Sequence, residues 1–200
     1  MERKRYACLG PAALILLALL GFTACNNNHD YAPKPRGYFR IIFPKKAYRQ
    51  YDSVCPFTFV YPTYANIVPD SDKNAEPCWL NMRFPQFRGT LHLSYDHINS
   101  KKEFDELVED AHKLSFKHTV KATSIDQGTI SYPDRKVYGI YYTIDGNAAS
   151  AIQFYLTDST KNYIRGALYF YSEPRLDSIQ PVLDFVKKDV DLMVKSFRWK

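Results

Sequence analysis

Five histidines are the first residues to examine for chemistry. His92 and His97 flank the end of a strand-like run, Thr90–Tyr95. An imidazole can shuttle protons near neutrality or ligate a metal, but either task needs a partner group. His112 and His118 lie six residues apart on a predicted helix and therefore face different sides, and His29 stands in a polar stretch. No HExxH, HxH or carboxylate at metal-ligand spacing accompanies them, so neither a metal nor a cofactor is expected. There is no GxSxG for a nucleophile and no GxGxxG or Walker spacing to cradle phosphate. Asp158-Ser159-Thr160-Lys161 mixes reactive side chains but reads as a turn between strands. No catalytic residue is assigned.

The run Gly146-Asn147-Ala148-Ala149-Ser150-Ala151 is more suggestive. Small residues in a row let another backbone or a ligand approach closely. A hairpin turn feeding a packed strand explains them equally well. The chain is also rich in rings, with 16 Tyr, 13 Phe and 2 Trp. Tyr138, Tyr141, Tyr142, Tyr155, Tyr163, Tyr169 and Tyr171 all fall in one strand-rich region. Alternate strand residues face opposite ways, so some of these line a core and others are free for an amphipathic surface. Gly146, Asn147, Ser150, Tyr138 and Tyr155 are the candidate docking or ligand face.

The amino terminus has its own chemistry. Arg3, Lys4 and Arg5 precede an apolar run from Pro11 to Leu20, the pattern of a secretory signal and too short to span a bilayer. Gly21-Phe22-Thr23-Ala24-Cys25 then resembles the lipobox of bacterial lipoproteins, with Phe22 where Leu is commoner. That resemblance implies cleavage before Cys25, diacylglycerol on its thiol and acylation of the new amino group. Each buried CH₂ contributes roughly 0.8 kcal/mol, so two or three chains anchor the protein stably. The other reading is an ordinary signal peptide in which Cys25 has no role. Once Cys8 is cleaved off and Cys25 acylated, Cys55 and Cys78 remain as a pair, and an oxidising envelope favours their disulfide. It would close a loop of about 24 residues, worth roughly 3 kcal/mol in the chain-entropy model. Between Tyr31 and Tyr51, Lys34, Arg36, Arg40, Lys45, Lys46 and Arg49 occur with no acid. They read either as a solvated face or as a patch leaning on anionic head groups.

These groups need elements to position them. Tyr38–Phe43 predicts a strand ended by Pro44, and Pro56–Ile67 a strand broken at Pro62. Trp79–Phe84 and Thr90–Tyr95 predict two more, joined by the turn residues Pro85–Gly89. Ser100 and Glu103 have the form of a capping box, and Phe104, Leu107, Val108, Ala111 and Leu114 then recur at helical spacing. Four strand-like runs follow, about 121–131, 136–144, 149–157 and 163–171, with tight links that make the sheet antiparallel. A last helix starts near Asp177 or Ser178, striped by Ile179, Val182, Val186, Val190 and Met193, and an extended tail covers Ser196–Trp199. The layout is α+β, a mainly antiparallel sheet covered by two principal helices, and it resembles the PsbP/Mog1-like sandwich.

At 200 residues, 46% hydrophobic and 24% charged, the chain is neither disordered nor fibrous, and its composition suits one folded domain. The expected organisation is a signal peptide at 1–24, a lipidated tether at 25–36 and a single α+β domain at 37–200. Tyr31–Ile41, Cys55–Phe59, Tyr61–Ala65, Pro77–Trp79, Gly89–Tyr95, Lys117–Lys121, Gly146–Ala151, Thr157–Lys161 and Arg165–Phe170 also recur together in a known pattern. In order and spacing they resemble the gliding-motility lipoprotein GldD family of Bacteroidota, over nearly all of the chain beyond the cysteine. The resemblance implies a non-enzymatic, lipid-anchored accessory protein. Its partners would be gliding or type IX secretion envelope proteins rather than nucleic acid. The residue after Cys25 is not Asp and no acidic cluster follows, which points to the periplasmic face of the outer membrane. The alternative is an envelope glycan-binding module or hydrolase using the His92/His97 region or Gly146–Ala151.

Overall fold

Among the described residues, ten strands and two α-helices follow one another as β1 (Tyr48–Tyr51), β2 (Phe57–Pro62), β3 (Asn66–Pro69), β4 (Leu80–Phe84), β5 (Gly89–His97), α1 (Lys101–Phe116), β6 (Ala122–Tyr132), β7 (Val137–Gly146), β8 (Ser150–Thr157), β9 (Asn162–Phe170), α2 (Leu176–Ser196) and β10 (Arg198–Trp199). The structure, a computed structural model, describes residues 40–171 and 176–200, without the side chains of 176–178. The predicted signal peptide, Cys25, the tether at 25–36, Lys34 and Arg36 lie outside the described residues.

The strands form two antiparallel sheets, a seven-stranded one in the order β3-β4-β5-β9-β8-β7-β6 and a small one in the order β1-β2-β10. The tight links Pro133–Lys136, Asn147–Ala149 and Asp158–Lys161 make β6 to β9 a meander. β5 closes it by pairing along β9 from Gly89↔Phe170 to His97↔Asn162. All eight residues of β8 are buried, because both faces of the sheet are covered there.

One face packs against α2 and the small sheet. Leu80, Met82, Leu91, Leu93, Ile152, Phe154, Leu156, Ile164 and Leu168 meet Val186, Val190, Met193 and Val194 of α2, with Phe57 and Phe59 of β2. The rings of Phe57 and Phe59 stack on Phe197 at 5.7 and 6.3 Å. Cys55, just before β2, and Cys78, just before β4, are joined by a disulfide with 5.7 Å between their Cα atoms. The bond ties the small sheet to the large one.

The other face carries α1. Phe104, Leu107, Val108 and Ala111 rest on Tyr142, Tyr155 and Tyr163, and the Tyr163 hydroxyl donates to the Leu107 carbonyl at 3.1 Å. Ser100 Oγ accepts the Glu103 N–H as its spacing predicts, but the Glu103 carboxylate takes the N–H of Asn99, one residue before the cap. The helix stops at Phe116, so His118 stands on the 3-10 turn Lys117–Val120 and not on the helix with His112.

Of the strand expected at Tyr38–Phe43, the described residues 40–43 carry none. Residues 40–47 carry no strand, and β2 instead pairs with Tyr48–Tyr51, in register Tyr48↔Pro62 to Tyr51↔Phe59. Residues 40–47 are held by Gln86, whose amide donates to the Ile42 carbonyl at 2.6 Å, by Phe43 stacked on Phe185 at 4.5 Å, and by an ion pair on a buried carboxylate. Lys46 Nζ donates to Asp189 Oδ2 at 2.5 Å and to the Phe185 carbonyl at 2.9 Å, and it sits 3.6 Å above the Phe185 ring. Tyr48 and Tyr64 donate their hydroxyls to the same carboxylate, which is 1% exposed. Burial lowers the Lys46 pKa against the pull of Asp189. Burial and then Asp189 push Tyr48 up to about 12. Arg49 is also engaged internally, 4.7 Å over the Tyr61 ring. Of the described residues of the basic run, Lys46 serves the fold, while Arg40, Lys45 and Arg49 are exposed.

Candidate functional site

The sheet face that carries α1 is only partly covered by it. Beside the helix, one cross-strand row runs Asn81 (β4), His92 (β5), Ala167 (β9), Gln153 (β8), each opposite the next. Arg165 precedes Ala167 by two residues on β9 and so shares this face. The period of two in these strands sends Leu80, Met82, Ile152, Phe154, Ile164 and Leu168 to the α2 side.

These polar groups are buried without full partners. Asn81 is 5% exposed and Gln153 1% exposed, yet Asn81 Oδ1, Gln153 Nε2 and Arg165 Nε have none. Gln153 Oε1 accepts from Arg165 Nη2 at 2.5 Å, with Ser115 Oγ at 3.3 Å. Among the described residues no carboxylate forms an ion pair with Arg165. His92 is half-buried, edge-on to Tyr169 with 5.7 Å between ring centres. Its pKa is lowered by burial, with Asp70 opposing and Arg83 and Arg165 adding, which favours the neutral imidazole. Burial and Arg165 lower His118 in the same way.

Next to this row lies a cavity of about 470 Å³, lined by His92, Ala148, Ala149, Ala151, Tyr169 and Ile179 among others. His92 and the small-residue run, separate in the sequence, thus line one space. Its volume is in the range of small-molecule pockets. The alanines leave it open where larger side chains would fill it.

The other singled-out residues are placed elsewhere. His97 is exposed, with Nδ1 3.2 Å from Asn99 Oδ1. It borders an acidic recess with Glu76, Asp96 and Glu103, where burial and then the two glutamates raise the Asp96 pKa. No group of three or more His, Cys, Asp or Glu residues among the described ones is placed to hold a metal. Asp158 braces its turn: Oδ1 accepts the N–H groups of Thr160, Lys161 and Asn162 at 2.8, 2.8 and 3.0 Å. Burial opposes its ionisation, but these bonds prevail and bring its pKa down to about 2.

Of the candidate docking face, Gly146 (φ 97°) ends β7 against Thr123, and Asn147 is exposed in the turn beside the cavity. Ser150 is fully buried and bonds the Ile152 carbonyl at 3.1 Å. Tyr138 is half-buried at the far end of β7, opposite Thr157. Tyr155 lies under α1, stacked on Tyr163 at 5.5 Å. These five do not form one surface. Asn81, Gln153 and Arg165 were not picked out from the sequence as a site. The signal for them was a single polar residue inside an apolar run, as in Leu-Asn-Met, Ile-Gln-Phe and Ile-Arg-Gly.

A sheet with one helix on each face and a small sheet beside one of them is a PsbP-like α+β fold. The chain is similar to the solution structure of cyanobacterial PsbP (CyanoP) from Synechocystis, with a TM-score of 0.50 and 15% identity over 78% of this chain and 95% of that one. At that identity the likeness speaks for the fold alone. The family model for the gliding motility lipoprotein GldD matches residues 28–199, and the chain belongs to that family. Membership makes it a gliding-motility-related lipoprotein, lipid-anchored in the cell envelope. No curated protein gives a significant match. Among the described residues, no helix is long and apolar enough to cross a membrane.

Proposed function

We propose that this protein is a non-enzymatic component of the gliding and type IX secretion machinery. It is anchored through Cys25 on the periplasmic face of the outer membrane and acts by contact with envelope proteins. The family match over residues 28–199 carries this reading.

The test is a deletion strain complemented with the wild type or with Cys25→Ala, scored for secreted type IX cargo and colony spreading. Restoration by the wild type alone is expected. Normal secretion and spreading in the deletion strain would overturn the role. Full rescue by Cys25→Ala would overturn the need for the anchor.

A further inference from the structure

We propose that the outer edge of β6 docks an extended segment of a partner protein, which adds a strand to the large sheet. The segment carries a basic residue opposite Asp126 and an apolar one two positions away, opposite Gly128. β6 ends the seven-strand order, and among the described residues its backbone has no ladder partner but β7. Alternate residues of a strand turn N–H and C=O to opposite sides, so about half of β6 offers unpaired groups along that edge. Folded proteins guard such edges with short strands, Pro, basic residues or bulges. The other edges here follow the rule: β3 has four residues and ends in Pro69, β1 has four and carries Arg49, and β10 has two. β6 has 11 residues, with no Pro, Lys or Arg among them. Its one bulge, between Ala122 and Ser124, leaves Ser124–Tyr132 regular.

In strand addition the main chain supplies affinity, and pockets for alternate side chains supply specificity. Beside this edge, on the α2 side, a recess of about 190 Å³ is lined by Gly128, Ile130, Tyr132, Tyr141, Val194 and Lys195 among others. Gly128 keeps it open. A Cβ there would meet only the Tyr141 carbonyl oxygen, at 3.9 Å, so nothing within the fold calls for glycine. Asp126 lies two residues earlier on the same face, exposed, and its carboxylate forms no ion pair among the described residues. Same-face neighbours on a strand are about 7 Å apart, so the basic and apolar residues of the incoming segment are separated by one residue. Lys195 at the recess disfavours a second cation there and leaves the basic residue to Asp126. The segment would belong to one of the envelope proteins that the contact role above requires, and its biological source rests on that role.

The experiment uses the full lipidated chain in lipid nanodiscs. It is titrated with fluorescein-labelled Thr-Thr-Thr-Leu-Thr-Lys-Thr-Thr-Thr and with the reverse sequence, read by anisotropy, while amide hydrogen exchange locates the contact. Saturable binding of at least one order is expected, with protection inside Ser124–Tyr132; the order that binds gives the strand direction. Methylating one alternate set of peptide nitrogens should abolish binding and methylating the other should not. Glu in place of the peptide's Lys should weaken binding about fivefold, and Asp126→Lys should reverse that preference. Gly128→Val fills the recess and should weaken binding about tenfold. No saturable binding of either order, protection confined to other strands, or an unchanged charge preference in Asp126→Lys would overturn the proposal. Should Gly128→Val fail to fold, the Asp126→Lys result decides alone. A dimer with β6 amides protected before peptide is added would assign the edge to a second copy and overturn it too. Peptide binding is read apart from secretion and spreading, so the docking edge and the contact role fail separately.

Discussion

The two faces of the seven-stranded sheet are made by the same strands yet solve different problems. Toward α2, Met82, Leu91, Phe154 and Leu168 pack with Val186, Val190 and Met193 in a dry, ring-rich layer. On the opposite face, residues one position away in the chain (Asn81, His92, Gln153, Ala167) form a polar row with unmet hydrogen bonds beside an open cavity. Strand alternation lets a single sequence carry both surfaces. Among the described residues, three of the five buried side-chain atoms left without a partner (Asn81 Oδ1, Gln153 Nε2 and Arg165 Nε) belong to this face, while Arg135 Nε and Trp199 Nε1 lie elsewhere.

The largest effect expected is on the dry face. Phe154 is 1% exposed and its ring lies against Gly166. Phe154→Ala should cost about 3–5 kcal/mol in denaturant melts, and a loss below 1 kcal/mol would break the contrast. The Cys55–Cys78 bond links the layers of that same side. Replacing both with Ala should cost roughly 3 kcal/mol, and wild-type melting without reductant would show the bond to be dispensable.

Asp158 lies beyond both faces, and its contribution depends on pH. Its folded pKa of about 2 is below the ordinary 3.8. The stabilisation is therefore complete above about pH 4 and is lost as pH falls toward 2. Asp158→Asn should flatten that acid limb of a stability–pH curve, and an unchanged slope would rule the turn out as its source. The smallest effect, and the one of opposite sign, is expected on the polar row. Asn81→Leu removes an unpartnered buried oxygen and should leave stability unchanged or raise it by up to about 1 kcal/mol. A loss comparable to that of a core truncation would erase the difference between the faces.

Much of the fold was legible because its signals are local. Tight turns at Tyr132-Pro133-Asp134, Asp145-Gly146-Asn147 and Asp158–Lys161 outlined the meander, and the Ser100 cap with the Phe104–Ala111 stripe outlined α1. The strand placed at Tyr38–Phe43 failed at 40–43 because β-propensity says nothing about which segment wins a partner edge. The ion pair of Lys46 with Asp189, 143 residues away, and the contacts of Ile42 and Phe43 fix residues 40–47 outside the ladder and deliver Tyr48–Tyr51 to β2. The site was readable only in pieces. His92 and Gly146–Ala151 each drew notice, but β5 reaches β8 only through β9, a neighbour order no local pattern encodes. Strand alternation divides the tyrosines between core and surface without saying which are which, and α1 covers Tyr142, Tyr155 and Tyr163.

The Lys46 socket also determines how the domain carries load. A pull at residue 40 meets the Gln86 bond to the Ile42 carbonyl and the Phe43 ring stacked on Phe185, and then an ammonium seated on that ring and on a buried carboxylate of α2. The last residues border the same strand at its opposite end: β10 pairs with β2 at Phe57 and Thr58, and the Lys200 N–H donates to the Pro56 carbonyl at 2.9 Å. Entry and exit of the chain are thus fastened to one strand. Beyond β1, the Cys55–Cys78 link passes tension straight into the large sheet. A load applied at residue 40 is expected to be shared between the contacts on α2 and the β1–β2 ladder before it reaches the large sheet.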